Sequence, residues 1–253
     1  MTRKSIQQLK EEEKQGLLTV DNLHKIEMDE RIGVKQLVSR IKKREEKRIS
    51  LQNKWVKMNE LERQAKQQNY VYVAGIDEAG RGPVAGPVMA SAVRLPEGFT
   101  LYGLDDSKKL TEKDKEYFYD EIMTHADVGV GEASPEEIDR WNIYQATKIA
   151  MRRAVENMTY TPDYLLVDAM EVPVQIEQTS YVKGDERSVA IAAASVIAKV
   201  TRDRFMKGLD ESFPAYKFAK NKGYGTKEHL DAIRKTGITP YHRKTFVPSD
   251  IRG

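Results

Sequence analysis

Cysteine is absent from the 253 residues of the chain, and histidine occurs only four times. Without cysteine there is no disulfide framework and no thiolate zinc site, and four scattered histidines disfavour a metal site built from imidazoles. Any metal ion must therefore be held by carboxylates. The longest mostly apolar run, residues 189–198, has about half the length of a membrane span. The charged segment Met1–Glu13 does not resemble a signal peptide, so we expect a cytoplasmic protein with no membrane partner.

Proline and glycine are scarce in the first part of the chain. All nine prolines and fourteen of the sixteen glycines lie after residue 70. Residues 1–70 carry 17 Lys/Arg and 11 Asp/Glu, a net charge of +6, whereas residues 71–253 carry 25 and 28, a net charge of −3. We therefore predict an N-terminal extension over residues 1–69 and a second domain over residues 70–253. The positive charge favours a polyanion such as nucleic acid, although a solvated helical face gives similar counts.

Hydrophobic periodicity predicts a small all-α extension. Apolar residues recur at helical spacing over 34–41 and 51–61, which is typical of helices that face a core. Gly16 and Gly33 are the expected helix ends, and Asp21 is the expected N-cap of a helix over residues 22–31.

From residue 70 onward, strand and helix signals alternate, which predicts an α/β sheet domain. Short β-rich runs predict strands over residues 70–76, 88–95, 128–132 and 164–167. Capping-box spacings predict helices that begin near residues 112 and 135. Longer helical patterns cover residues 188–213 and 227–236.

Acidic residues follow several of the predicted strands. Asp77 and Glu78 end the first strand directly before a Gly-Arg-Gly turn, Asp168 ends the run Leu165–Val167, and Asp185 precedes the long helix. Side chains alternate along a strand, so the first pair can share a site only if the backbone leaves the extended geometry there. Four converging carboxylates would repel one another, and a pair of divalent ions such as Mg²⁺ or Mn²⁺ would neutralise them. Two metal ions suit phosphoryl chemistry.

These residues and several longer motifs resemble ribonuclease HII. The resemblance covers residues 71–248 and does not reach the extension, which is similar in kind to those of some Bacillus-type members. The matching runs, in the order of the family, are Asp77–Gly82, Asp105–Leu110, Leu166–Asp168, Lys183–Asp185, Ala193–Asp203, Lys222–Thr226 and His242–Phe246.

The resemblance implies a ribonuclease H-like fold, with a central mixed β-sheet flanked by helices. It further implies an endonuclease that cuts on the 5′ side of a ribonucleotide joined to or embedded in DNA, leaving 3′-hydroxyl and 5′-phosphate ends. The implied cofactors are two divalent ions, Mn²⁺ or Mg²⁺. Asp77 would bridge both ions, Glu78 and Asp168 would complete one site, and Asp185 would help to hold the other.

Substrate recognition requires a group that senses the 2′-hydroxyl, because only that group separates RNA from DNA at one position. The resemblance places the turn Gly80, Arg81 and Gly82 at the scissile junction, and Tyr224 against the sugars there. Ser195 and Lys199, one helical turn apart, are further candidates for phosphate binding. Weaker phosphate candidates are Lys108, Lys109, Lys220, Lys222, His242 and Arg243.

Three other interpretations compete with this hypothesis. A P-loop hydrolase is disfavoured because residues 80–87 contain neither lysine nor threonine. A catalytically silent nucleic-acid binding module would leave four phosphate-repelling acids without a purpose. The sister enzyme ribonuclease HIII is the stronger rival, although its usual N-terminal domain contains strands. Our expectation is a monomeric ribonuclease HII that acts on RNA/DNA hybrids and on DNA duplexes containing ribonucleotides.

Overall fold

A computed structural model of the protein describes residues 4–251, and in this range the chain forms eight α-helices and five β-strands. The helices are α1 Ile6–Lys14, α2 Ile32–Met58, α3 Glu60–Gln67, α4 Glu112–His125, α5 Pro135–Glu156, α6 Val189–Ser212, α7 Phe218–Asn221 and α8 Lys227–Thr236. The strands are β1 Val73–Ala79, β2 Val88–Arg94, β3 Asp127–Ala133, β4 Tyr164–Asp168 and β5 Glu177–Tyr181.

The five strands form one mixed sheet in the order β3-β2-β1-β4-β5. The β1–β2 and β2–β3 pairs are antiparallel, whereas the β1–β4 and β4–β5 pairs are parallel. The predicted strands and helices after residue 70 are confirmed, but the short helix α7 and strand β5 were not predicted. The sequence of β5, Glu-Gln-Thr-Ser-Tyr, lacks the apolar alternation that marks a half-buried strand.

Helices α5 and α6 cover opposite faces of the sheet. Ile76 and its neighbours on one face pack against Ala150 and Met151 of α5, while Val73 packs against Ile191 of α6 on the other face. The α6 backbone approaches β1 so closely that a Cβ at Gly75 would lie 2.1 Å from a carbonyl carbon. This close packing fixes the first turns of α6 beside the end of β1, where the acidic residues lie.

The chain divides into two compact units, Met1–Val56 and Lys57–Gly253. In the first unit, α1, the turn of 3₁₀ helix Val20–Lys25 and the start of α2 enclose a small apolar core. Gly16, with φ of 73°, follows α1 and confirms the first predicted helix end. The prediction for Gly33 is wrong, because Gly33 lies in the first turn of α2. The expected helix over residues 22–31 is only the short 3₁₀ turn, and its N-cap is Thr19, not Asp21.

The second unit begins earlier than the composition suggests. Leu61 and Ala65 of α3 share an apolar cluster with Val73, Tyr164 and Leu166. Residues 57–69, which the composition groups with the extension, are thus part of the packing of the sheet unit. Among the described residues, no helix combines the length and apolarity needed to cross a membrane.

Candidate active site

Two of the predicted acids lie side by side at the ends of neighbouring parallel strands. Ile76 of β1 is paired with Val167 of β4, so the next residues, Asp77 and Asp168, lie level and point to the same side of the sheet. A third acid, Asp185, lies in the short 3₁₀ turn Gly184–Glu186 that leads into α6. Asp168 Oδ1 accepts a hydrogen bond from Gly184 N at 2.7 Å, which ties the turn to β4.

Glu78 joins this group in a way that the sequence analysis does not predict. The expectation that the backbone leaves the extended geometry at this residue pair is wrong, because β1 pairs with β2 without interruption through Ala79. On its other side, β1 is paired with β4 only as far as Ile76. Glu78 therefore lies beyond the last residue pair of β1 and β4, where the two strands are no longer paired. Its charge interacts with those of Asp77 and Asp168.

A fifth carboxylate, Asp106, completes the cluster and is not among the predicted site residues. It is hydrogen-bonded to Asp185, and its charge also interacts with Asp168. Lys108 Nζ lies 3.6 Å from Asp106 and 3.8 Å from Asp185. The only sequence signal for Asp106 is its place in one of the motifs that resemble the family. We refer to Asp77, Glu78, Asp106, Asp168 and Asp185 as the acidic cluster.

Burial and mutual repulsion raise the pKa of four members of the acidic cluster. The pKa of Asp77 lies well above its ordinary value because the carboxyl is buried and faces the charges of Glu78 and Asp168. Burial is also the main reason why the pKa values of Glu78 and Asp168 are raised. Burial and the charge of Asp106 raise the pKa of Asp185 to about 6. Such a cluster is costly to ionise without a cation.

The acidic cluster fits a divalent metal ion in its chemistry. Its donors are carboxylate oxygens, which Mg²⁺ and Mn²⁺ prefer. Glu78 Oε2 is buried and has no hydrogen-bond partner within the described residues, so a cation would satisfy it. Among the described residues, no three or more His, Asp or Glu side chains are arranged so that they could hold a metal ion. Instead, Asp168 accepts a hydrogen bond from Gly184 N, Asp77 is hydrogen-bonded to Ser195, and Asp185 faces Lys108.

The raised pKa values predict that, in EDTA, the folded protein loses stability as the pH rises. Between the ordinary and the raised pKa, a window from 3.8 to about 6 for Asp185, the folded state binds more protons than the unfolded chain, so the free energy of unfolding falls with pH. We expect the melting temperature in EDTA to be lower at pH 7.5 than at pH 5, and Mn²⁺ to raise it at pH 7.5. The buried histidines act in the opposite direction, so Asp77→Asn is the control. If that variant shows the same pH dependence as the parent, the prediction is wrong.

Two buried arginines hold the Gly80–Gly82 turn beside the acidic cluster. Arg243 donates from Nη1 to Arg81 O at 2.9 Å and from Nη2 to Gly80 O at 2.6 Å. Gly80 has φ of 93°, and a Cβ there would lie 2.0 Å from Arg202 Nε. Only glycine fits this position. Arg202 itself donates to the carbonyls of Pro87, Lys222 and Ala85.

The prediction that His242 and Arg243 contact phosphates at the surface is wrong, because both side chains are buried. Burial and the charge of Arg202 lower the pKa of Arg243 to about 9. No sequence pattern distinguishes these structural basic residues from solvated ones, since each depends on carbonyls that are distant in the chain. The other weak candidates are mostly engaged in ion pairs: Lys108 with Asp106 and Asp185, Lys109 with Glu186, and Lys220 with Glu228.

Tyr224 lies next to the same turn. Its ring carbon Cε1 is 3.7 Å from the position of a Cβ on Gly82, and the side chain is about half exposed. Gly223 has φ of 84°, and a Cβ there would lie 2.3 Å from Ala85 O, so the chain must pass close to the turn at this point. Arg81, which forms an ion pair with Glu78 at 3.3 Å, lies on the exposed side of the turn. The structure thus brings together the turn, Tyr224 and the acidic cluster.

Ser195 and Lys199 occupy different environments on α6. Ser195 is buried, is 2.9 Å from Ser107 Oγ, and is hydrogen-bonded to Asp77. Ser195 therefore contacts the acidic cluster from α6, through its hydrogen bond to Asp77. Lys199 is partly exposed and forms an ion pair with Asp203 at 2.8 Å.

Comparisons with known proteins agree with this arrangement. The family model described as "Ribonuclease HII" matches residues 74–248, and the model "Ribonuclease HII N-terminal domain" matches residues 3–66. The chain is 53% identical over 221 residues to the ribonuclease HII of Bacillus cytotoxicus, which covers 87% of the chain and 85% of that protein. The ribonuclease HII of Bacillus cereus strain Q1 is 54% identical over the same length, covering 87% of the chain and 86% of that protein.

Solved structures show the same fold. Ribonuclease H2 from Pyrococcus horikoshii OT3 matches with a TM-score of 0.60 and 25% identity, covering 69% of this chain and 93% of that one. The RNase HII in a PCNA complex from Archaeoglobus fulgidus matches with a TM-score of 0.58 and 27% identity, covering 68% and 94%. Bst-RNase HIII matches with a TM-score of 0.54 at 18% identity, covering 66% and 63%, a likeness in fold.

Proposed function

The chain belongs to the ribonuclease HII family and is therefore an RNase H-type endonuclease, and from this premise we propose that it hydrolyses the phosphodiester on the 5′ side of a ribonucleotide in a DNA duplex. The proposed products carry 3′-hydroxyl and 5′-phosphate ends. The observation that carries the proposal is the acidic cluster beside a glycine turn that leaves its backbone open to a sugar or phosphate.

Asp77, Glu78, Asp168 and Asp185 are the residues that would hold two divalent ions, Mn²⁺ or Mg²⁺. When bound, such ions activate a water molecule and stabilise the leaving oxygen of a phosphodiester. Asp106 and Lys108 would position Asp185 through the contacts described above. Ser195, which is hydrogen-bonded to Asp77, would fix the orientation of that carboxylate.

Selection of the ribonucleotide is assigned to the Gly80–Gly82 turn and to Tyr224. At Gly82 only the ring of Tyr224 lies within 4 Å of where a Cβ would stand, which allows close approach to a 2′-hydroxyl, whereas Arg202 fills the corresponding space at Gly80. Arg81 and Lys199, both partly exposed, are the proposed phosphate contacts. The proposed form is a monomer that acts in the cytoplasm.

The N-terminal extension is proposed to strengthen duplex binding. Lys35, Arg40 and Lys43 lie together on one face of α2. Arg40 itself and several other basic side chains of this unit are engaged in ion pairs, Arg40 and Arg44 with Glu13, and Lys42 with Glu27. The net positive charge that remains would attract phosphates without reading sequence.

Cleavage of a DNA duplex that contains one ribonucleotide tests the function directly. We expect strand scission only at that position, only when Mg²⁺ or Mn²⁺ is added after EDTA treatment, with ends that a ligase and a phosphatase identify as 3′-hydroxyl and 5′-phosphate. An all-DNA duplex is the control. Binding without cleavage in either metal would instead favour the catalytically silent binding module.

Replacement of Tyr224 by alanine is expected to slow cleavage at a single embedded ribonucleotide by about 10-fold to 100-fold, mainly through kcat, because a substrate-orienting group is lost. Tyr224→Phe, which keeps the ring and loses only the hydroxyl, is expected to lie between this variant and the parent. Single-turnover rates and KM for each variant measure the effect. Equal rates for Tyr224→Ala and the parent would show that Tyr224 does not read the junction.

A further inference from the structure

Two histidines are buried beside each other behind Tyr224, with their rings inclined at 49°. His229 lies in α8 and His242 in the segment that follows it, and their Nε2 atoms are 3.0 Å apart. Both are nearly inaccessible to solvent and are packed against the rings of Tyr216 and Phe218. The mechanism described above makes no use of either imidazole.

The backbone groups at the two ends of this pair determine where the protons are. Thr239 N is 2.9 Å from His242 Nδ1, and a backbone N–H can only donate, so His242 Nδ1 carries no proton. The neutral His242 must then carry its proton on Nε2 and donate to His229 Nε2. His229 Nε2 accepts, so the His229 proton is on Nδ1, which donates to Tyr224 O at 2.8 Å.

The result is a directional hydrogen-bond chain from Thr239 through both imidazoles to the carbonyl of Tyr224. Thr239 Oγ1 also lies 2.9 Å from His242 Nδ1 and can donate to it. A further proton on either ring would place two N–H groups against each other. Burial lowers the pKa of both histidines, to about 4 for His242. The hydrogen-bond chain is therefore intact around neutral pH, and both rings are uncharged.

The hydrogen-bond chain ends at the backbone carbonyl of Tyr224. This carbonyl accepts from His229 and from Thr226 N at 2.8 Å, and the N–H of Tyr224 donates to Asn221 O at 2.9 Å. The backbone of Tyr224 is thus held on both sides, while the ring stays exposed beside Gly82.

We propose that His229 is a positioning residue whose Nδ1–H holds the backbone of Tyr224 so that the ring can contact the ribonucleotide junction, and that the neutral His242 fixes this tautomer of His229. This inference rests on the proposed function of Tyr224. Neither histidine contacts the substrate; both act through the Tyr224 backbone.

Two substitutions of His229 separate this role from simple packing. An asparagine amide reaches about as far as Nδ1 and keeps a donor for the Tyr224 carbonyl, whereas a glutamine amide reaches about as far as Nε2 and loses it. We expect His229→Gln to lower kcat on a duplex with one ribonucleotide by about 10-fold to 100-fold with little change in KM, and His229→Asn to retain most of the activity. Melting temperatures of both variants record any loss of packing.

A double-mutant cycle with Tyr224→Ala shows whether the histidine acts through the tyrosine. If it does, His229→Gln has almost no further effect on kcat once the ring is gone. An undiminished effect in the Tyr224→Ala background, or equal losses in the glutamine and asparagine variants, would overturn the inference. If Tyr224→Ala cleaves as fast as the parent, the proposed role of Tyr224 itself is wrong, so the two failures are distinguishable.

Nitrogen-15 NMR of the imidazoles in the unmodified full-length protein provides a test that needs no variant to fold. At pH 7 we expect His229 to be protonated on Nδ1 and His242 on Nε2, both neutral. Two rings in the same tautomer, or a charged ring at this pH, would contradict the hydrogen-bond chain.

Discussion

Asp77→Asn and Asp168→Asn are each expected to reduce cleavage in Mg²⁺ or Mn²⁺ by about 1,000-fold or more, a loss of about 4 kcal/mol of transition-state stabilisation. Asp77 of β1 lies level with Asp168, the last residue of β4, and both carboxylates face the same side of the sheet. Losing one charge weakens the hold on a divalent ion and removes one of its oxygen ligands. Steady-state rates over a range of metal concentrations measure the loss.

The same substitutions are expected to leave the fold intact. Asp77 accepts hydrogen bonds from Glu78 N and from Ser195, and an asparagine carbonyl oxygen can accept both. Because the change removes one of several repelling charges, the melting temperature in EDTA is expected to stay equal or to rise. This result separates loss of the metal site from unfolding.

Asp231→Asn is the matched control, since Asp231 is an exposed acid on α8 that pairs with Arg234. Its activity is expected to equal that of the parent. Near-normal turnover by Asp77→Asn and Asp168→Asn in Mg²⁺ would contradict the metal-site assignment. A large fall in melting temperature for either variant would instead point to a structural role.

Deleting residues 1–68 is expected to destabilise the catalytic unit, whereas deleting residues 1–56 is not. The longer deletion removes Leu61 and Ala65 from an apolar cluster that includes Ile191. It also removes Glu62, whose buried carboxylate accepts from Ser188 Oγ and from Ala190 N at the start of α6. We expect a loss of about 2–5 kcal/mol, the range for emptying one large buried apolar site.

The shorter deletion isolates the contribution of the extension to duplex binding. Residues 1–56 carry 14 Lys/Arg and 9 Asp/Glu, so their removal takes away a net charge of +5. We expect a higher Kd for duplex DNA. We also expect the slope of log affinity against log salt concentration to become flatter by about 0.9 for each phosphate that the shortened protein no longer neutralises. The cleavage position is expected to stay the same. A salt dependence identical to that of the full chain would exclude the binding role.

Composition places the domain boundary near residue 70, whereas the compact units divide after Val56. Proline and glycine become frequent only after residue 70, yet α2 runs unbroken through Val56 and α3 packs in the sheet unit. Composition reports where helices give way to strands. It does not show in which unit a helix such as α3 packs, because that depends on residues such as Tyr164 and Ile191 that lie far along the chain.

Local patterns in the sequence determined most of the elements and the four predicted acids. Ser134 and Glu137 form the capping box that starts α5, as their spacing predicts, because both partners lie within one turn of the chain. Asp77 and Asp168 were found because each follows a short apolar, β-rich run that predicts a strand, and strand ends are where a sheet displays reactive groups.

Tertiary structure alone decided which other side chains belong to the site. Arg243 reaches Gly80 across 163 residues of sequence, and Asp106 joins Asp185 from a separate loop. The contact between the Nε2 atoms of His229 and His242 depends on how α8 and the following segment pack around Tyr216. A buried arginine or histidine has the same letter in the sequence as a solvated one. Its role is set by the distant carbonyls and rings that the fold places around it, and no local pattern encodes these.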